Sequence, residues 1–246
     1  MAFRERRGSG TTLLLVLLSV ALGAGVLLVA PTPLGRQFRL LVHVREPHRV
    51  LPAVVPRHAG GHFTFAKTQP GTDDPVTYDP CRPIPYVVNP HGGPSDALAI
   101  IDTAIGRISA ASGLEFEDHG RTDDTDFEGR DPGDPVLIGF APAGSVKGLS
   151  VGSRRVGLGG STAVDSGIGH LAYRTGMVAL RSDWFSDPHV PTAQKTAVVM
   201  HELGHVLGLA HVTDTGELMS ASNDGQTTLG PGDREGLALL GRGSCR

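Results

Sequence analysis

The segment HELGHVLGLAH, residues 201–211, gathers the residue types that hold a metal ion and activate a water. His201 and His205 lie four apart, so a helix sets them about 40° apart and one turn along, on one face. Two imidazoles so spaced can hold one zinc ion. Glu202 is rotated by about 100° from His201, too far round the helix to be a third ligand. Its reading is the general base, reaching a water at the metal and taking its proton. Gly208 falls three residues after His205, where a helix can end in a left-handed residue and turn back. That turn brings His211 to the same ion from outside the helix. Three neutral nitrogen ligands leave a coordination position for water or substrate, the composition of a catalytic zinc site. Leu203, Val206, Leu207 and the preceding AVVM (197–200) bury this helix, and unpaired histidines within it would be costly without a ligand.

The elements needed to position these residues are legible upstream and downstream. Residues 192–209 carry a helical apolar period. Strands are expected at 83–88 (PIPYVV), 114–118 (LEFED), 135–141 (PVLIGFA) and 177–180, the last after a long Gly-rich stretch. Ser95 is the expected N-cap of a helix over 96–112, whose apolar positions 97, 98, 100, 101, 104, 105 and 108 share a face, and Gly113 stops it. Pro231 opens a last helix that Gly241 ends. The order strand, helix, strand, strand, strand, helix, irregular segment, helix predicts an α+β fold, a twisted mixed sheet above the metal helix.

With these residues in hand, the chain resembles the metzincin metallopeptidases, and among them the matrixins, including short bacterial members. The five-position pattern His201, Glu202, His205, Gly208, His211 matches the metzincin zinc signature. Met219 in ELMS (217–220) stands where the Met-turn of that group would be. The resemblance covers about 76–246 and implies one catalytic zinc, with Met219 packed beneath the three histidines without binding it. Val212 follows the third histidine where animal matrixins have serine, and the Met-turn lacks the usual tyrosine-proline; both departures touch subfamily and substrate pocket rather than the metal. No cysteine occurs over 31–75, so the cysteine-switch propeptide of animal matrixins is absent from that stretch. A second Zn2+ or structural Ca2+ is not carried over: its candidate ligands, His170 and the acidic loop (Asp123, Asp124, Asp126, Glu128, Asp131, Asp134), read more simply as a hydrogen-bonded histidine and a solvated loop.

Cys81 and Cys245 flank the proposed domain. A bridge between them is the favoured reading and agrees with an oxidising compartment; two free thiols, or Cys81 as an inhibitory zinc ligand, are the alternatives. Ahead of the domain, a basic leader (1–10) with Arg4, Arg6 and Arg7 precedes an uncharged run at 11–30, long enough at roughly 30 Å to cross a bilayer. This run is an anchor or a cleaved signal, and either leaves the catalytic domain outside the cytoplasm. Residues 31–75 are Pro-rich and read as linker, with a short element conceivable near 38–44. The histidines there (His43, His48, His58, His62) lack a metal-ligand spacing.

Net charge is −3, with nine basic and four acidic residues before position 76 and thirteen and twenty-one from there on, which argues against a nucleic-acid binder. Aromatics make up 5%, so the core must be aliphatic. Together these features predict an exported, monomeric zinc endopeptidase that takes a peptide as an added strand and, if residues 11–30 are retained, sits on a membrane. Two other readings fit the same residues: a narrow-specificity hydrolase of cell-wall peptides, and a zinc-stabilised surface-binding module without turnover.

Overall fold

A computed structural model of the chain describes residues 18–23, 25, 26, 32, 34, 48–167, 169–222 and 225–245. It divides into two units, 1–48 and 49–246. In the first, residues 18–23, 25 and 26 are helical. The leader 1–10, most of the 11–30 segment and the 38–44 element lie outside the described residues. Among the described residues no helix is long and apolar enough to cross a membrane.

The second unit is built on a five-stranded sheet with strands β1 (Ile84–Asn89), β2 (Phe116–Arg121), β3 (Val136–Ala141), β4 (Gly157–Asp165) and β5 (Leu171–Arg181). Their order across the sheet is β2-β1-β3-β5-β4, parallel throughout except for β4, which runs antiparallel to β5 at one edge. The central strand β3 is buried along its whole length, which explains its unbroken apolar sequence VLIGFA. Val136, Ile138 and Phe140 face the main core, while Leu137 and Ala141 face a second cluster with Phe127, Val146 and Leu149. The acidic loop expected to be wholly solvated thus covers one face of the sheet through Phe127. Its carboxylates serve the loop itself: Asp124 and Asp134 pair with Arg130, Asp126 accepts the Glu128 and Gly129 amides, and Glu128 accepts the Lys147 amide.

The other face carries helices α1 (Ala97–Ser112), α3 (Thr192–Leu207) and α4 (Pro231–Leu240); the short α2 (Ser182–Ser186) follows β5. Helix α1 packs on α3 and α4 through Ile100, Ile101, Ile105 and Ile108. It ends as expected at Gly113, whose φ of 70° is left-handed. Its start differs from expectation. Ser95 is not the cap; the helix follows Asp96, which makes no side-chain cap bond, because a backbone turn from Pro94 to Ala97 runs straight into the first helical bond.

Two further differences bear on the site. Strand β4 occupies the Gly-rich stretch left without an element, since its glycines weaken every strand signal while their lack of side chains is what admits it. Residues 49–75, expected as linker, lie in the same compact unit as the rest of the domain. The Ala66 amide donates to the Gly208 carbonyl, the Ala210 amide to Thr64, and the Arg49 guanidinium reaches the Gly113 and Gly241 carbonyls. This strap fits because α4 presents Gly232 and Gly236 to it: a Cβ on Gly236 would lie 3.0 Å from the Phe63 side chain, and one on Gly232 would collide with the His62 backbone. Proline content alone signalled a linker, but here backbone bonds and Phe63 and Phe65 supply the burial that composition did not reveal.

Cys81, ahead of β1, is bridged to Cys245, beyond α4, with Cα atoms 5.3 Å apart and a sequence separation of 164. Among the described residues no free thiol is left for a metal. Closing so long a loop should contribute about 2–5 kcal/mol. Cys245→Ser should therefore lower the urea midpoint of the full chain, and wild-type protein should fall to the same midpoint on reduction. An unchanged midpoint would show that the bridge adds nothing.

Candidate metal centre

The site begins with a helix that stops in the right place. Helix α3 ends at Leu207 rather than 209, because Gly208 takes φ 117° and its amide turns back to the Gly204 and His205 carbonyls. A side chain there would be strained, and its Cβ would meet the Tyr173 ring at 2.9 Å. The reversed chain returns through Leu209 and brings His211 beside the helix. The three Nε2 atoms then converge: His201 to His211 is 3.0 Å, His205 to His211 is 3.1 Å and His201 to His205 is 3.2 Å.

These separations are not hydrogen bonds for at least one pair. His201 Nδ1 lies 2.7 Å from the Leu218 carbonyl and His205 Nδ1 lies 2.8 Å from the Leu209 carbonyl. A carbonyl only accepts, so both rings carry their proton on Nδ1 and turn a bare Nε2 lone pair to the centre. Burial pushes His201 down to about 4 and His205 down to about 3, and it lowers His211 as well, so no imidazolium occupies the cluster at neutral pH. The facing lone pairs of His201 and His205 suit a cation held between them. A metal bound to three nitrogens at 2.0–2.1 Å in tetrahedral geometry would hold them about 3.3 Å apart, close to what the rings adopt. Among the described residues this is the histidine cluster that can hold a metal ion, and neither His170 nor the acidic loop joins one.

Glu202 is buried on the same helix, where burial pushes its carboxyl up to about 8, against the opposing pull of Arg155 and the Gly159 amide. Its surroundings come from β4. A Cβ on Gly157 would sit 2.5 Å from Glu202 Oε1, and one on Gly159 would collide with the Glu202 backbone carbonyl. The two glycines are one strand period apart, so both clear the same face of β4 for the helix. Beyond them, Ser161 donates to the Val206 carbonyl at 2.7 Å and accepts from Tyr78 at 2.8 Å, fastening β4 to the last turn of α3. Sequence reasoning missed these residues; the alternate glycines of GLGGS were the signal that could have found them.

Met219 is buried against the same helix, with its Sδ so close to α3 that a Cβ on Gly204 would be 2.6 Å away. The turn bearing it is held by carboxylates that the sequence did not single out. Asp233 accepts the Leu218, Met219 and Gly230 amides, and Glu217 accepts the Gly232 and Asp233 amides at the start of α4. Both are buried, and each satisfies backbone donors that no other group reaches. The three histidines and Glu202 open into a cleft of about 690 Å³, walled by β4 on one side and by Ser220–Ser222 and α3 on the other.

Two measurements follow from this geometry. Gly159→Ala should destabilise the protein by about 2 kcal/mol or more by driving a Cβ into backbone. Gly160→Ala, whose Cβ would meet nothing within 4 Å, should be near neutral, so equal denaturation midpoints would remove the close approach as a constraint. The second concerns pH. Metal-stripped protein should lose stability below about 6.5, the ordinary imidazole value, because the unfolded chain binds protons that the buried rings refuse down to about 4 and about 3. Glu202 acts with the opposite sign: its raised value makes the folded state bind the extra proton, so stability also falls as pH rises toward about 8. Denaturation across pH 4–8 should show a maximum near 6.5, and a flat profile would contradict the burial of these groups.

Residues 170–240 match the family model described as Matrixin, a partial match that runs from β5 through α3 and the Met219 turn to the end of α4. No curated protein matches the chain significantly. The match covers His201, His205, His211, Glu202 and the turn bearing Met219, so this part of the chain is similar to the matrixins.

Proposed function

We propose that the protein is an exported zinc-dependent endopeptidase with His201, His205 and His211 as metal ligands and Glu202 as general base. The observation that carries this reading is the convergence of three Nε2 atoms within 3.0–3.2 Å of one another, two of them fixed as lone-pair donors by backbone carbonyls. The chemistry that zinc supplies when bound by three neutral nitrogens is Lewis acidity toward a carbonyl and a water. The rest falls to the chain. Glu202, buried against the backbone of β4, has its carboxyl pushed up to about 8, a proton affinity that suits a group that must take a proton from the attacking water and then deliver it to the leaving amine. A peptide would lie extended along the outer edge of β4, adding main-chain bonds as a sixth strand. The buried carboxyl beside an incomplete ligand set favours turnover over a purely structural zinc.

Export is supported by the Cys81–Cys245 bridge, by the basic leader and by the apolar run at 11–30. The domain would act outside the cytoplasm as a monomer, held at the membrane where the run is retained.

His205→Ala should lose stoichiometric zinc by elemental analysis, whereas Glu202→Gln should keep the zinc and lose about 10²–10⁴-fold in peptide hydrolysis. Full zinc in the first variant would remove the three-histidine assignment. Wild-type turnover in the second would remove Glu202 from the chemistry.

A further inference from the structure

The cleft differs in charge from the domain that contains it. From position 76 the chain has thirteen basic and twenty-one acidic residues. Yet the charged side chains among the described residues lining the cleft are Arg154, Arg155 and the buried Glu202. Both arginines are exposed and stand immediately before β4, the strand that walls the cleft.

Arg130 and Arg181 are committed to carboxylates. Arg130 pairs with Asp124 and Asp134, and Arg181 with Asp183 at 2.7 Å. Arg155 has no such partner: its guanidinium makes a 3.4 Å contact with the Gly148 carbonyl, and among the described residues neither it nor Arg154 forms an ion pair. The backbone that carries them is nonetheless anchored. Ser153 accepts the Arg155 amide at 3.0 Å, and Arg181 donates to the Ser153 and Arg155 carbonyls at 2.7 and 3.3 Å.

Two guanidiniums without an ion-pair partner form a recognition surface for a carboxylate, which a planar guanidinium binds through paired hydrogen bonds. We infer that the cleft selects peptides with an acidic side chain, Asp or Glu, near the scissile bond on the side facing residues 154–155, with Arg155 the principal specificity determinant. This rests on the peptidase reading above and adds to it the class of substrate. A lysine or arginine at the same substrate position would meet like charge and be rejected.

The test uses the full zinc-loaded chain and random decapeptide pools with one position fixed as Glu, Gln or Lys, scanned along the peptide. Immobilised Glu202→Gln protein should retain the Glu pool about tenfold over the Gln pool at one or two positions and exclude the Lys pool. The preference should shrink as sodium chloride rises from 50 to 500 mM, since the arginines are exposed. It should vanish in the same protein with Arg154→Ala and Arg155→Ala, and Arg155→Glu should invert it toward Lys. Because both side chains are at the surface, these variants should melt like their parent. Equal retention of Glu and Gln pools, or a preference that survives loss of both arginines, would overturn the inference. Turnover by wild-type protein on the same pools separates the two readings. Cleavage without acidic selectivity sinks the inference and leaves the peptidase intact. Arginine-dependent binding without cleavage in wild type upholds the inference and sinks the peptidase.

Discussion

Two ring N–H groups bonded to backbone carbonyls govern the centre. His201 gives its Nδ1 proton to Leu218 and His205 gives its own to Leu209, which settles the tautomer of each ring and points an unprotonated Nε2 inward. Without those bonds a helix would still bring the two rings to one face, but their protons could move to Nε2 and the rings could turn into mutual hydrogen bonds. With them, the bare Nε2 atoms of His201 and His205 face each other at 3.2 Å, an arrangement that a shared cation satisfies. The price is paid in desolvation, visible in the depressed proton affinity of both rings.

The Leu218 carbonyl can accept only if its turn is held in place, and that requirement carries the design outward. Leu218 and Met219 give their amides to Asp233, and Asp233 stands at the start of α4, where Glu217 in turn accepts two amides. The two buried carboxylates lock turn and helix reciprocally, so neither can shift alone. Helix α4 is gripped from its other side by the 49–75 strap, seated over Gly232 and Gly236 and bonded to Gly208 and Ala210 on either side of Leu209. The segment whose composition suggested a tether is therefore part of what positions the second ring's carbonyl partner.

Strand β4 meets the centre from the opposite side and does two jobs with one feature. Its glycines bring backbone against Glu202, excluding water from the carboxyl and raising its proton affinity toward the range a general base uses. The same absence of side chains leaves the sheet's outer edge close to the histidines, where an added strand could reach them. Ser161 and Tyr78 then secure the contact, since glycine contributes no packing of its own.

The clustering of His201, His205 and His211, the neighbouring Glu202 and the helix stop at Gly208 were legible in the chain, because helical geometry converts spacing directly into direction: four residues place two rings together whatever surrounds them. The continuous apolar run of β3 and the Gly113 stop were readable for the same local reason. Tertiary structure alone decided the rest. Whether a Gly-rich stretch is loop or strand depends on a neighbour close enough to need the missing side chains, and GLGGS meets that neighbour only when α3 packs beneath it. Whether a Pro-rich stretch is tether or strap depends on the glycine face of a helix some 170 residues further along the chain. Glu217 and Asp233 look like surface acids in sequence and become buried anchors because the donors they satisfy come from a turn and a helix end that only the fold brings together. Local geometry is encoded by spacing; a close approach or a buried charge is encoded by a partner, and the partner is distant in sequence.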